Sequence, residues 1–166
     1  LARHLERDGG GSLPGLPPGA AFGDSPGRFL PLSPVIGTCN PMAPPVEVWP
    51  VDGGVRAAAR LGAAYVGPPG RVHGGWVAAI LDQVLGFACV AAGHPAMTGT
   101  LTVTLRQATP LHDDLDIVAR ILEVDGRRVT ARGAISAGGA VTAEAEGTFI
   151  KALAPAGAGD GPVAAK

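Results

Sequence analysis

The stretch GRVHGGWVAAILDQVLGFACV, residues 70 to 90, reads as one long core helix with a single carboxylate, Asp82, in its middle. At 100° per residue, Val77, Ile80, Leu81, Val84 and Phe87 gather on one side as an ordinary apolar stripe. Gly75, Ala78, Ala79, Asp82, Gly86 and Cys89 gather on the other. That second side carries only small residues around Asp82, so another surface or a ligand can come close to the helix. A lone acid on a helix is ordinarily a solvated charge. Nothing else on this face is polar, which argues against a solvated face.

The segments around the helix have a different period. Val55, Ala57, Ala59, Leu61, Ala63 and Tyr65 recur at every second residue, with Arg56 and Arg60 in the other phase, which predicts a strand. VEVWPV before it is a further strand candidate, and GPPG at 67 to 70 ends the pair. After the helix, Thr98, Thr100, Thr102 and Thr104 alternate with Leu101, Val103 and Leu105. Three more strands are predicted over residues 115–124, 127–137 and 140–150, joined by hairpin turns at Asp125-Gly126 and Gly138-Gly139. In the last strand Val141, Ala143, Ala145, Gly147 and Phe149 are expected to face one way, and Thr142, Glu144, Glu146 and Thr148 the other. One long helix followed by an antiparallel meander of four strands gives an α+β fold, with the helix packed on one face of the sheet.

Gly and Pro dominate residues 1–35, where no apolar period survives, so a flexible leader is expected there. A folded domain is expected over residues 36–151 and a flexible tail over 152–166. The formal net charge of −1 and the 4% aromatic content give no basis for nucleic-acid binding. Cys39 and Cys89 have no metal or redox spacing, which favours a reducing compartment. Asp82 and Gln83 interrupt the apolar run short of a membrane span, so a cytoplasmic protein with no membrane contact is expected.

The helix also suggests chemistry. Gly75 and Asp82 are seven residues apart, about 10.5 Å along one helix face. Free N–H groups and the dipole at a helix start can hold a developing oxyanion when no side chain blocks approach, and glycines give that access. A carboxylate two turns along can then act as general base or nucleophile on a carbonyl held at the helix start. Ester and thioester hydrolysis both fit.

GPPGRVHGG and ILDQVLG, with Asp82 nine residues after His73, resemble the hotdog-fold thioesterases of the PaaI-like and 4-hydroxybenzoyl-CoA type. AMTGTLTVTLRQATPL looks like the strand that follows in that family, and GTCNPMAPP, residues 37 to 45, resembles its opening segment. The likeness covers residues 37 to 151. It implies a central helix wrapped by an antiparallel sheet, a homodimer or dimer of dimers, and acyl-CoA hydrolysis at the subunit interface without a cofactor. Carried over by position, Asp82 is nucleophile or base, and Gly75, with Gly74, supplies the oxyanion N–H. His73 orients the carbonyl or Asp82, and Thr98 of the partner subunit positions water. Arg127 and Arg128 are candidates for the CoA phosphates. Trp76 departs from the pattern, since a smaller residue is expected in the first helical turn.

Other signals stay at background. His94 and His112 have no metal partners in sequence, HDDLD at 112–116 lacks a calcium loop's length and glycine, and no metal is expected. Two alternatives to hydrolysis remain at this stage: a hotdog hydratase or dehydratase, and a non-catalytic acyl-CoA-binding protein.

Overall fold

The structure, a computed structural model, describes residues 30–151. The expected tail and the first part of the expected leader lie outside them. The elements are β1 (Val46–Val51), β2 (Gly54–Arg60), α1 (Gly74–Ala91), β3 (Ala96–Leu105), β4 (Asp114–Asp125), β5 (Arg128–Ala137) and β6 (Ala140–Lys151). All six strands form one antiparallel sheet in the order β1-β2-β4-β5-β6-β3, and α1 packs against every one of them. This is a hotdog fold: one helix wrapped by one curved sheet.

The helix is apolar because it is enclosed. Val77, Ile80, Leu81, Val84, Leu85 and Ala88 are buried against the inner sheet face. That face offers Val55, Ala57, Ala59, Ile117, Ala119, Ala131, Ile135, Ala143, Ala145 and Phe149, all buried. Its many alanines let the sheet close around a helix without large side chains holding it off. Gly147 extends the same logic, since a Cβ there would stand 2.8 Å from the Phe149 ring. The outer face is polar, with exposed ion pairs Arg56–Asp116, Arg106–Glu144 and Arg132–Glu146.

Several expectations are corrected. The expected meander of four is a meander of three, β4-β5-β6, because β3 pairs with β6 and β4 pairs with β2. The crossover through α1 carries β3 to the far side of the sheet, which strand periodicity does not encode. Ala63 and Tyr65 form a short 3₁₀ turn, not the end of β2. The β4–β5 hairpin loop is Gly126-Arg127, with only Gly126 at positive φ, while Gly138 and Gly139 between β5 and β6 are both positive. Residues 30–35 belong to the folded body: Val35 is buried, and the Ser33 hydroxyl donates to Gln83 Oε1 at 3.1 Å.

Two β-bulges reverse side-chain phase. A shift between Ile135 and Ser136 in the β5–β6 pairing buries Thr142 and exposes Val141, the opposite of simple alternation. Thr142 then donates to the Ile135 carbonyl and accepts from Thr109, which satisfies both buried hydroxyls. A second shift, between Thr98 and Thr100 in β3, leaves Gly99 unpaired. It turns Thr98 towards the helix, in phase with Leu101 and Val103 and out of phase with the other threonines.

Phe149 is fully buried, with its ring close to Gly86 of α1 and Gly147 of β6. Phe149→Ala should cost about 3–5 kcal/mol of stability through the cavity it leaves. Urea unfolding of the two proteins measures this directly.

Candidate active site

The helix start is held by its own loop. His73 is the N-cap, in extended conformation, and its Nδ1 accepts the Gly75 N–H at 3.0 Å. The ring therefore carries its proton on Nε2. Around it, the Val72 N–H donates to the Thr109 carbonyl and the His73 N–H to the Tyr65 carbonyl, both at 2.9 Å. The Thr109–Thr142 pair ties this loop to β6. The Trp76 and Val77 N–H groups donate back to the His73 carbonyl. Gly74 alone in the first turn keeps an N–H with no acceptor inside the described chain.

The Gly75 N–H, expected to face an oxyanion, is thus taken by His73, and the N–H left without a partner among the described residues is that of Gly74. The spacing to Asp82 reads nearly alike from either glycine, so only the cap geometry separates them. The ring is also expected to reach the carbonyl or Asp82, but its observed role is the cap. A cavity of ≈ 360 Å³ opens beside Gly74, walled by Val72, Val77, Leu105 and Thr109, with Arg71 on its rim. A Cβ at Gly74 would meet Leu105 Cδ1 at 3.2 Å, so glycine keeps this opening clear.

Asp82 is half-buried on the small-lined side of α1, and the Thr98 hydroxyl donates to its Oδ1 at 2.8 Å. The two residues join within one chain, so the expectation that Thr98 arrives only from a partner subunit is corrected. The bulge at Gly99 makes the contact possible by turning Thr98 inward. With Oδ1 engaged, Oδ2 is left to a water or a carbonyl carbon. Thr98 of β3 thus reaches a helix face that carries Ala78, Ala79, Asp82 and Gly86, all partly accessible.

Four other residues singled out in the sequence fall differently. Cys89, placed on the small-residue side by the helical wheel, is buried, and burial pushes its thiol up to about 11. The Arg127 guanidinium donates to the Lys151 carbonyl at 3.0 and 3.1 Å, so it is partly occupied. Arg128 pairs across β6 at Ile150, which pairs in turn with Met97, so it lies two strands from the Thr98 end of β3. Trp76 stacks edge-on against Tyr65, with ring centroids 5.1 Å apart, which accounts for a bulky residue in the first turn. No group of metal-ligating side chains occurs among the described residues.

Comparison with known proteins gives a consistent picture. The thioesterase superfamily model matches residues 69–144. A thioesterase superfamily protein of solved structure is 35% identical, with a TM-score of 0.70 over 90% of this chain and 76% of that one. A hypothetical thioesterase from Streptococcus pneumoniae, solved with coenzyme A, shares the fold at TM-score 0.60 and 20% identity, covering 64% of this chain and 87% of that one. The Xenopus laevis acyl-coenzyme A thioesterase THEM4 is 35% identical over 63 residues, 38% of this chain. The match spans only 28% of that relative's length.

The two thiols should separate cleanly. Cys39 is exposed and Cys89 is buried as a neutral thiol. Titration of the native protein with a disulfide reagent at pH 8 should count one fast thiol, Cys39, and a second only after unfolding.

Proposed function

Because this chain belongs to the thioesterase superfamily, we propose that it hydrolyses an acyl-coenzyme A to the free acid and coenzyme A. The observation that carries the reading is the Asp82–Thr98 hydrogen bond on a partly accessible helix face otherwise made of small residues. Asp82 serves as general base towards water or as nucleophile, with Thr98 fixing the carboxylate's orientation. Oxygen adds to the thioester carbonyl, and the resulting oxyanion is held by the Gly74 N–H at the positive end of α1. The C–S bond then breaks and the thiolate of coenzyme A leaves. As base, Asp82 passes it the proton taken from water. As nucleophile, Asp82 is left as an acyl anhydride that a water hydrolyses to the free acid, while the thiolate is protonated from solvent. Coenzyme A in the Streptococcus pneumoniae relative supports that leaving group.

One chain alone does not bring these parts together. Gly74 and Asp82 are eight residues apart, about 12 Å along the helix. A carbonyl carbon sits about 3–3.5 Å from an attacking atom. Its oxygen lies about 3 Å from the donor that stabilises it. With the C=O bond these sum to well under the span for direct attack by the carboxylate, which favours Asp82 acting with the Gly74 of a second copy.

The edge strand β3 supports the same reading. Among the described residues it has no neighbour on one side, and Met97 and Leu105 on it are exposed. Antiparallel pairing of β3 with its copy about mid-strand lays Thr98 beside Val103 of the copy, two residues from Leu105. Leu105 lines the opening at Gly74, so a homodimer built this way sets each Asp82 beside the other chain's helix start.

Asp82→Asn keeps the shape and the Thr98 partner but removes the charge. Release of free thiol from acyl-CoAs should fall by at least about 10²-fold, the scale for a positioned base. The melting temperature should stay equal or rise, because a half-buried charge is gone. Undiminished thiol release from a folded variant would remove Asp82 from the chemistry. A wild-type protein that releases no thiol from any acyl-CoA would favour hydration or simple binding.

A further inference from the structure

Gln83 follows Asp82 on α1, and its side-chain amide is oriented by the segment that leads into β1. The Ser33 hydroxyl accepts the N–H groups of Val35 and Ile36 at 3.2 and 3.3 Å, which uses both of its lone pairs. Its one proton must therefore be donated, and it goes to Gln83 at 3.1 Å. The atom of Gln83 that receives it has to be Oε1, because Nε2 has no lone pair to offer. The amide cannot be flipped without breaking this set of bonds.

That leaves Nε2 with two unused donors. Among the described residues it carries no hydrogen bond, and no buried side-chain polar atom lacks a partner. Nε2 of this half-buried residue therefore reaches solvent. The support is rigid: Val35 and Ile36 are buried. The far end of the segment is tied down by the Tyr65 hydroxyl, which donates to the Ala43 carbonyl at 2.9 Å. Gln83 lies 100° around the helix from Asp82, at the flank of the small-residue face that carries the carboxylate.

We infer that Gln83 is a specificity-determining residue, and that its amide donates to an oxygen on the acyl group a few bonds from the thioester carbonyl. The inference rests on the thioesterase reading and names the substrate class within it: acyl groups oxygenated near the thioester, such as 3-hydroxyacyl chains. Residue 83 projects about 100° around the helix from residue 82, so its amide addresses not the reacting carbonyl but a part of the acyl group that extends past the flank of that face. An acyl chain without an oxygen there would leave the donors unpaired and forgo the stabilisation.

The test compares kcat/KM for 3-hydroxyacyl-CoAs with that for saturated acyl-CoAs of equal length, in wild type and two variants. Gln83→Glu keeps the bond from Ser33 but removes the Nε2 donors. Gln83→Met removes both and guards against a charge effect of the first. The wild-type ratio should exceed one, and each variant should lower it by about three- to tenfold. Ser33→Ala, which frees the amide, should lower the ratio in the same direction. A wild-type ratio near one, or a ratio unchanged in folded Gln83→Glu and Gln83→Met, overturns the assignment while leaving the hydrolysis intact. Absence of thiol release from every acyl-CoA overturns the hydrolytic reading and this inference with it.

Discussion

One helix has to fill the whole concave side of a six-stranded sheet. That constraint accounts for most of the molecule. A helix wrapped over so much of its circumference must be apolar over most of it, and the sheet must carry small inner residues to close around it. The arc that remains unwrapped is the only place where α1 can show a functional group without burying it. Asp82 stands on that arc, between the Gly99 bulge with Thr98 on one side and the Ser33–Gln83 contact on the other. A charge inside the wrapped arc would have no partner and would cost folding free energy directly.

Much of this could be read from residues alone, and the reasons are physical. The strands announce themselves by a period of two, and the helix by its apolar stripe and the His-Gly-Gly start. The small face around Asp82 was visible on a wheel because small residues and one acid leave a simple pattern. Three kinds of information were not local. The neighbour order of β3 depends on where the crossover lands. Bulges at Gly99 and near Ser136 shift phase by one residue, so Thr98 and Thr142 exchange faces with the residues that strict alternation would choose. Residues 30–35 look like linker by composition, yet Val35 and Ser33 pack on the body through contacts some fifty residues away in sequence.

The helix start shows how a cap refines a motif. Two adjacent glycines look equivalent in sequence, and either can carry an oxyanion. The imidazole of His73 resolves them by occupying the Gly75 N–H, which leaves Gly74 exposed to the cavity beside Leu105. The same geometry separates Gly74 from Asp82 of its own chain by two turns of helix. On the proposed reading, base and oxyanion donor belong to different copies, and the open edge of β3 is where the copies meet.

The most direct test of this account uses a mixed dimer. Asp82→Asn and Gly74→Pro, carried on differently tagged chains, are co-expressed and the mixed species isolated through both tags. Proline is tolerated at the first helical position and deletes the N–H in question. Each variant alone should be nearly inactive. In the mixed dimer one of two sites combines an intact Asp82 with an intact Gly74, so turnover should recover to about half that of the wild-type dimer. A folded mixed dimer as inactive as its two parents would contradict a site shared between chains.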